Sequence, residues 1–194
     1  FLLLELYLMK KKYKNLTSFE KKSLFVTNLF FLWTSFDFIG WFKIWLGADA
    51  SQYSLYIKYF IEGPVSIGYE QGVHYFWFLS LIVRPIWLGA VTSTFNFWDT
   101  WAYHLGVLLG NTFVFLILVN VTFMLFKKLF TNRWVSILAL WNFLLLTPVY
   151  YSRLLVKPDL LTILLFVIFL YVLLEEKVFL NEIFNKKISN TSRF

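Results

Sequence analysis

The chain has 194 residues, of which 59% are hydrophobic, 23% aromatic and only 15% charged, and its net charge is +7. Soluble domains carry about 25% charged and about 45–50% apolar residues, so the composition excludes an ordinary soluble globular protein and indicates a polytopic membrane protein. The sequence has no cysteine, which excludes disulfides and thiolate metal sites. The basic residues stand beside apolar segments, so the positive-inside rule explains the net charge better than nucleic-acid binding does.

The chain begins with a basic arm and a first apolar segment. A helix needs about 17–25 mostly apolar residues to cross a bilayer, and Leu24–Leu46 meets this requirement. Because charged groups at bilayer depth are costly, Asp37 within this span is predicted to face the bundle interior. The N-terminus is predicted to be cytoplasmic, because six lysines precede the span: Lys10, Lys11, Lys12, Lys14, Lys21 and Lys22.

An external loop, Gly47–Ala102, follows the first span and is predicted to hold two interfacial helices. Ala50–Glu62 is predicted to be an amphipathic helix on the membrane surface. Its apolar residues recur at helical spacing and are Tyr53, Tyr56, Ile57, Phe60 and Ile61. The second segment, Tyr75–Ala90, is apolar but short and is interrupted by Arg84-Pro85. It is predicted to lie along the outer interface as an amphipathic or re-entrant helix.

Three further spans are predicted, at Tyr103–Phe126, Trp134–Tyr151 and Pro158–Leu174. The loop between the first two of these carries three basic residues and should be cytoplasmic: Lys127, Lys128 and Arg133. An even number of crossings must separate two cytoplasmic segments, so Tyr75–Ala90 does not cross and Ser152–Lys157 lies outside. The predicted fold is therefore an all-α bundle of four spans. We expect this chain to be the N-terminal part of a longer protein of the bacterial inner membrane.

Polar residues that could carry chemistry concentrate in the segments predicted to be external. Asp49 and Gln52 have the spacing of a capping box at a helix start, and a capping carboxylate that stays near water can also serve as a base. Arg153 and Lys157 could simply be interfacial anchors whose charged groups reach toward water. Asp159, next to Pro158, suits the first turn of a helix through its interaction with the helix dipole.

Two short segments at these positions resemble membrane glycosyltransferases of the GT-C fold. Residues 47–53 (GADASQY) open the first external loop, as an acidic residue shortly before a tyrosine does in the dolichyl-phosphate-mannose protein mannosyltransferases and aminoarabinose transferases. Residues 151–161 (YSRLLVKPDLL) resemble their Ser-Arg…Pro-Asp signature at an outer helix start, although the spacing from Arg to Asp is one residue longer than is usual there. The resemblance spans about Leu24–Leu174.

The resemblance implies transfer of a sugar from a polyprenyl-phosphate carrier to a hydroxyl of a lipid, glycan or protein acceptor on the outer face. Asp49 would be the catalytic base, because an inverting transfer needs a carboxylate to remove the acceptor proton. The candidate substrate-binding residues are Arg153, Lys157, Asp159, Glu70 and His74, with the cations stabilising the leaving phosphate. No cofactor is implied. No second carboxylate directly follows Asp49, so dependence on a divalent metal stays open.

Two other classes remain as alternatives. A transporter or a flippase for lipid-linked saccharides would place charged residues at the bilayer midplane and break its spans at corresponding places in two halves. A noncatalytic membrane scaffold would need no external cluster of acidic and basic residues. The concentration of polar groups on one face favours an enzyme at the interface.

Overall fold

The computed structural model describes residues 13–37, 56–58, 60–61, 73–89, 101–153 and 158–191. Nearly all of these residues are helical, and the described part contains no strand, which confirms the predicted all-α class. Its helices are α1 (Ser18–Asp37), α2 (Val73–Gly89), α3 (Trp101–Leu129), α4 (Arg133–Leu145), α5 (Thr147–Ser152) and α6 (Asp159–Thr191).

Helix α3 is the central element, because α1, α2, α4 and α6 all pack against it. Among the described residues, Tyr103–Leu129 is the one helical stretch whose length and apolar composition suffice to cross a membrane, while α4 is apolar but shorter. The predicted span Leu24–Leu46 is described only as far as Asp37, at the end of α1. A bundle of four spans therefore stays a prediction.

The helices around α3 each bury a narrow stripe and leave other apolar side chains exposed. On α1 the buried side chains are Glu20, Leu24, Thr27, Phe31 and Ser35, which follow one another at steps of three and four residues. A step of three to four residues keeps side chains on one face of a helix, so this stripe faces α3. Helix α6 has the same pattern, and its buried residues are Leu160, Leu164, Val167 and Tyr171.

The segment predicted as a single span, Trp134–Tyr151, is two helices with a break at Leu146. Leu146 is extended, with φ −55° and ψ 129°. Pro148 stands in the first turn of α5 and accounts for the break, because a proline lacks the amide hydrogen and its ring would clash with the carbonyl four residues earlier. The Tyr150 amide then donates to the Leu146 carbonyl (2.8 Å), which starts α5.

Helix α2 runs antiparallel to the first part of α3 and packs closely against it. Tyr75 contacts Asn111, whereas Val83, two turns later on α2, lies against Gly106. The segment predicted as a helix at Tyr75–Ala90 is α2, which continues through Pro85 to Gly89. Both Arg84 and Pro85 are exposed, so the missing amide hydrogen of the proline lies on the outer side of the helix.

Candidate functional site

One end of the bundle, here called the basic end, gathers the start of α1, the end of α3, the start of α4 and the middle of α6. Glu20 accepts hydrogen bonds from the Thr17 amide (2.7 Å) and from Lys127 Nζ (2.9 Å), so a capping box on α1 also holds the end of α3. Lys128 forms an ion pair with Glu175 of α6. The Arg133 guanidinium at the start of α4 lies 5.3 Å from the centre of the Phe19 ring.

Hydrogen bonds keep the Glu20 carboxylate ionised at the basic end, although only 4% of the residue is exposed. Burial tends to raise the pKa of the Glu20 carboxyl, but the hydrogen bonds from Lys127 and Thr17 outweigh it and lower the pKa below 4.5. These bonds join the start of α1 to the end of α3. The basic end is built for structural ties between helices.

The opposite end of the bundle is organised by Arg153, which follows α5. Its Nη1 donates to the Ser35 hydroxyl (2.6 Å) and to the Phe31 carbonyl (3.0 Å) of α1, and its Nε donates to the Tyr150 carbonyl (3.2 Å). The guanidinium also lies 4.4 Å from the centre of the Tyr150 ring and 5.6 Å from that of Phe115 on α3. Arg153 thus ties α5 to α1 and α3.

The Arg153 side chain is only 1% exposed and does not reach toward water as an interfacial anchor would. Burial lowers the pKa of the guanidinium, and Tyr150 acts in the opposite direction. An arginine keeps its charge even so. Its Nη2 atom has no hydrogen-bond partner among the described residues. A buried donor without a partner is costly, and a charge-assisted hydrogen bond to an anionic group would remove that cost.

The described part of the segment predicted to be the external loop packs next to this end. Tyr56, Ile57 and Ile61 are buried against α2 and the start of α3, and we call these residues with Tyr75, Phe76, Leu79, Val83, Tyr103, Val107 and Leu108 the outer-loop cluster. The apolar face predicted to rest on the membrane surface therefore contacts other parts of the protein at these three positions. Leu161 of α6 also packs against the outer-loop cluster.

Tyr75 connects the outer-loop cluster with the start of α6. Its hydroxyl donates to Asn111 Oδ1 on α3 (2.6 Å). Burial raises the pKa of the Tyr75 phenol, the hydrogen bond with Asn111 acts against this rise, and the nearby charge of Asp159 adds to it. Asp159 itself is exposed in the first turn of α6, where a carboxylate complements the helix dipole. The first turn of α6 therefore adjoins the described part of the external loop.

The candidate residues divide into those that the structure describes and those that it does not. Arg153 and Asp159 flank the connection between α5 and α6, and His74 is exposed in the first turn of α2. Three candidates lie outside the described residues: Asp49, Lys157 and Glu70. The side chain of Asp37 is likewise not described. Among the described residues, no group of three His, Cys, Asp or Glu side chains could hold a metal ion.

Several residues that shape this end were missed by the sequence interpretation. Ser35 and Phe31 hold the Arg153 guanidinium, but no sequence spacing links residues more than a hundred positions apart. Gly106 and Gly110, by contrast, carry a readable signal, because two glycines four residues apart let a second helix approach closely. Comparison of the chain with models of protein families, with curated proteins and with solved structures yields no match.

Proposed function

We propose that this chain belongs to a multi-pass membrane glycosyltransferase that moves a sugar from a polyprenyl-phosphate carrier to an acceptor hydroxyl on the outer face of the membrane. The observation that carries the proposal is the buried Arg153 guanidinium, whose Nη2 has no hydrogen-bond partner among the described residues, at the end of the bundle opposite the basic end. A phosphate oxygen is the partner that such a donor binds most strongly.

The exposed surface of the helices supports insertion in a membrane. Phe25 and Trp33 of α1 and Phe166 and Phe169 of α6 are all more than half exposed. Large apolar side chains on the outside of several helices are unfavourable in water and favourable in hydrocarbon. We propose four crossings, formed by the α1 region, α3, α4 with α5, and α6.

The helix ends support a common sidedness for the proposed site. Lys127, Lys128 and Arg133 gather at the basic end with the start of α1, and a cluster of cations next to apolar helices favours the cytoplasmic side. Arg153 and Asp159 are then at the other water boundary, beside the described part of the external loop. This is the side on which lipid-linked sugar donors of the proposed class would be used.

The proposed chemistry assigns one role to each kind of residue. Asp49 removes the proton from the acceptor hydroxyl as the hydroxyl attacks the sugar carbon, while the bond from that carbon to the carrier phosphate breaks. Arg153, assisted by Lys157, stabilises the charge that develops on the leaving phosphate. Asp159 orients these cations, and Glu70 and His74 contact the substrate. We propose no cofactor, and metal dependence is tested by adding a chelator to the transfer assay.

The first experiment measures transfer of a labelled sugar from a polyprenyl-phosphate donor to the lipid, glycan and protein fractions of a membrane extract. Full-length protein should transfer the sugar, and Asp49→Asn should abolish transfer while the amount of inserted protein stays unchanged. Arg153→Lys should also reduce transfer, because the lysine keeps the charge but loses the planar fork. Full activity of Asp49→Asn would reduce Asp49 to a helix cap and refute the proposed mechanism.

A second experiment tests the sidedness on which the mechanism depends. Reporter enzymes fused after Gln52 and after Ser152 should both report the external side, whereas a fusion after Thr131, in the loop between α3 and α4, should report the cytoplasm. If the fusions after Gln52 and Ser152 report opposite sides, Asp49 and Arg153 cannot share a site.

The described polar residues deep in the bundle favour an enzyme over a transporter. Asn120 Nδ2 of α3 donates to Asn28 Oδ1 of α1 (3.3 Å) and to the Leu116 carbonyl of its own helix (2.6 Å). This pair is neutral, whereas transporters tend to place charged groups at the midplane. Movement of a lipid-linked saccharide across vesicle membranes, without any transfer of its sugar, would favour a flippase instead.

A further inference from the structure

A groove runs between α1 and α4, starting near the basic end. Its volume is about 340 Å³, and its lining includes Lys22, Ser23 and Val26 of α1 and Ile137 and Trp141 of α4. Ring contacts join the two helices near both ends of this stretch. Phe19 packs against Trp134 with ring centres 4.7 Å apart, and Phe30 packs against Trp141 at 5.1 Å. The eleven steps along α1 from Phe19 to Phe30 correspond to about 16 Å of helix.

Two cations lie where the groove begins. Lys22 is exposed and lines the groove, and Arg133 contacts the ring of Phe19, which also lines it. Within the described residues neither cation has a carboxylate partner. Deeper along the groove the side chains of Val26, Ile137 and Trp141 are largely apolar. One end of the groove therefore attracts an anion, and the rest suits a hydrocarbon chain.

A neighbouring cavity at the same end is also lined by cations, but these cations have carboxylate partners. It has a volume of about 240 Å³ and is lined by Lys127 and Lys128 together with Asn15 and Tyr171. Its cations are already neutralised, because Lys127 pairs with Glu20 and Lys128 pairs with a carboxylate of α6. Of these four cations, the two that are not neutralised by a described carboxylate lie at the groove between α1 and α4.

We propose that this groove binds one anionic phospholipid of the cytoplasmic leaflet, with its phosphate between Lys22 and Arg133 and one acyl chain along Val26, Ile137 and Trp141. This inference depends on the membrane orientation given above and goes beyond the proposed transfer, because the lipid bound here is on the other side of the bilayer from the sugar donor. Anionic lipids are enriched in the cytoplasmic leaflet, which matches the charge of the groove. A lipid seated here would join α1 to α4.

The test is native mass spectrometry of the full-length protein in mild detergent, titrated with phosphatidylglycerol or phosphatidylcholine of identical acyl chains. The wild type should retain one phosphatidylglycerol with a preference of about 30-fold over phosphatidylcholine, since each basic residue contributes about 1 kcal/mol. Lys22→Gln should weaken this binding about fivefold. Val26→Trp should abolish it while leaving both cations in place, because the larger side chain fills the groove.

Arg84→Gln is the matched control, since it removes an exposed cation from α2, away from the groove, and should leave retention unchanged. Equal retention of both lipids would overturn the proposal, because it would show no preference for an anionic headgroup. Unaltered retention by Val26→Trp would overturn it as well, because it would indicate attraction to the basic surface alone. The lipid measurement needs no sugar transfer, so an inactive transferase that still retains the lipid separates the two proposals. Protein that alkaline washing strips from membranes would refute both.

Discussion

Alanine at Gly106 and at Gly110 should have clearly different effects, although both changes add a single methyl group to the same face of α3. A Cβ at Gly106 would lie 2.6 Å from Val83 Cγ2 and 2.8 Å from Val83 Cα, so the backbone of α2 would have to move. At Gly110 the contact is 2.5 Å to Leu79 Cδ2 and 3.2 Å to Ile82 Cδ1, which are the ends of flexible side chains. Only the first change forces a shift between helices.

Overpacking that moves a backbone costs about 1–3 kcal/mol. Replacing a helical glycine by alanine contributes about 1 kcal/mol in the other direction. For a chain of this length, 1 kcal/mol corresponds to about 2–4 °C in Tm. Gly106→Ala should therefore lower the Tm by up to about 8 °C, and Gly110→Ala should change it by less than about 3 °C.

The assay is thermal unfolding of the two variants and the wild type in the same detergent, followed by the loss of monodisperse protein on size-exclusion chromatography. Each variant serves as the control for the other, because the added volume and the change in helix propensity are the same. Equal shifts in Tm for the two variants would refute the close approach of α2 at Val83. A larger loss for Gly110→Ala would place the tightest contact one turn further along α3.

Three further predictions follow from the ties between helices. The pKa of Glu20 is lowered in the folded protein, so its pairing with Lys127 stabilises the protein above about pH 4.5. This stabilisation is lost as the pH falls through the folded-state pKa. In that acidic range the Tm of Glu20→Gln should depend less on pH than the Tm of the wild type. Arg153→Met removes three hydrogen bonds of a buried charge and should cost about 2 kcal/mol, measured as a fall in Tm of about 4–8 °C; an unchanged Tm would contradict the tie to α1. Asn120→Leu should lower the Tm by about 2 °C, because it removes the hydrogen bond between the side-chain amides of α3 and α1. The control Asn142→Leu should not lower the Tm, because the Asn142 side chain donates its hydrogen bond within α4.

The elements that the sequence predicted well are those with a strong local signal. Helix α3 was predicted at Tyr103–Phe126 and is Trp101–Leu129, because a long uninterrupted apolar run has few alternatives. The break at Leu146 was missed although Pro148 marks it, since apolar composition alone does not distinguish one helix from two. The helix predicted at Tyr75–Ala90 is Val73–Gly89 and continues through Pro85, because packing on α3 outweighs the cost of a proline.

The candidate site was only partly accessible to such reasoning. The sequence singled out Arg153 and Asp159 through a local motif, and the structure describes both at the start of the connection into α6. It did not indicate that Arg153 binds α1, because the partner is a backbone carbonyl and a serine, which carry no distinctive signal. Nor did it identify Tyr75 and Asn111, whose pairing depends on the register of α2 along α3.

The tie from Arg153 to Ser35 also has a consequence for the order in which the protein is assembled. The two residues are 118 positions apart, and Glu20 and Lys127 are separated by 107. During synthesis from the N-terminus, α1 emerges first. The start of α1 can bind Lys127 only after α3 has been made, and the end of α1 can bind Arg153 only after α5 has been made. A nascent chain halted in α4 would hold α1 to α3 through Glu20 and Asn28 but would lack the tie from Arg153, so the far end of α1 is fastened only after α5 has been made.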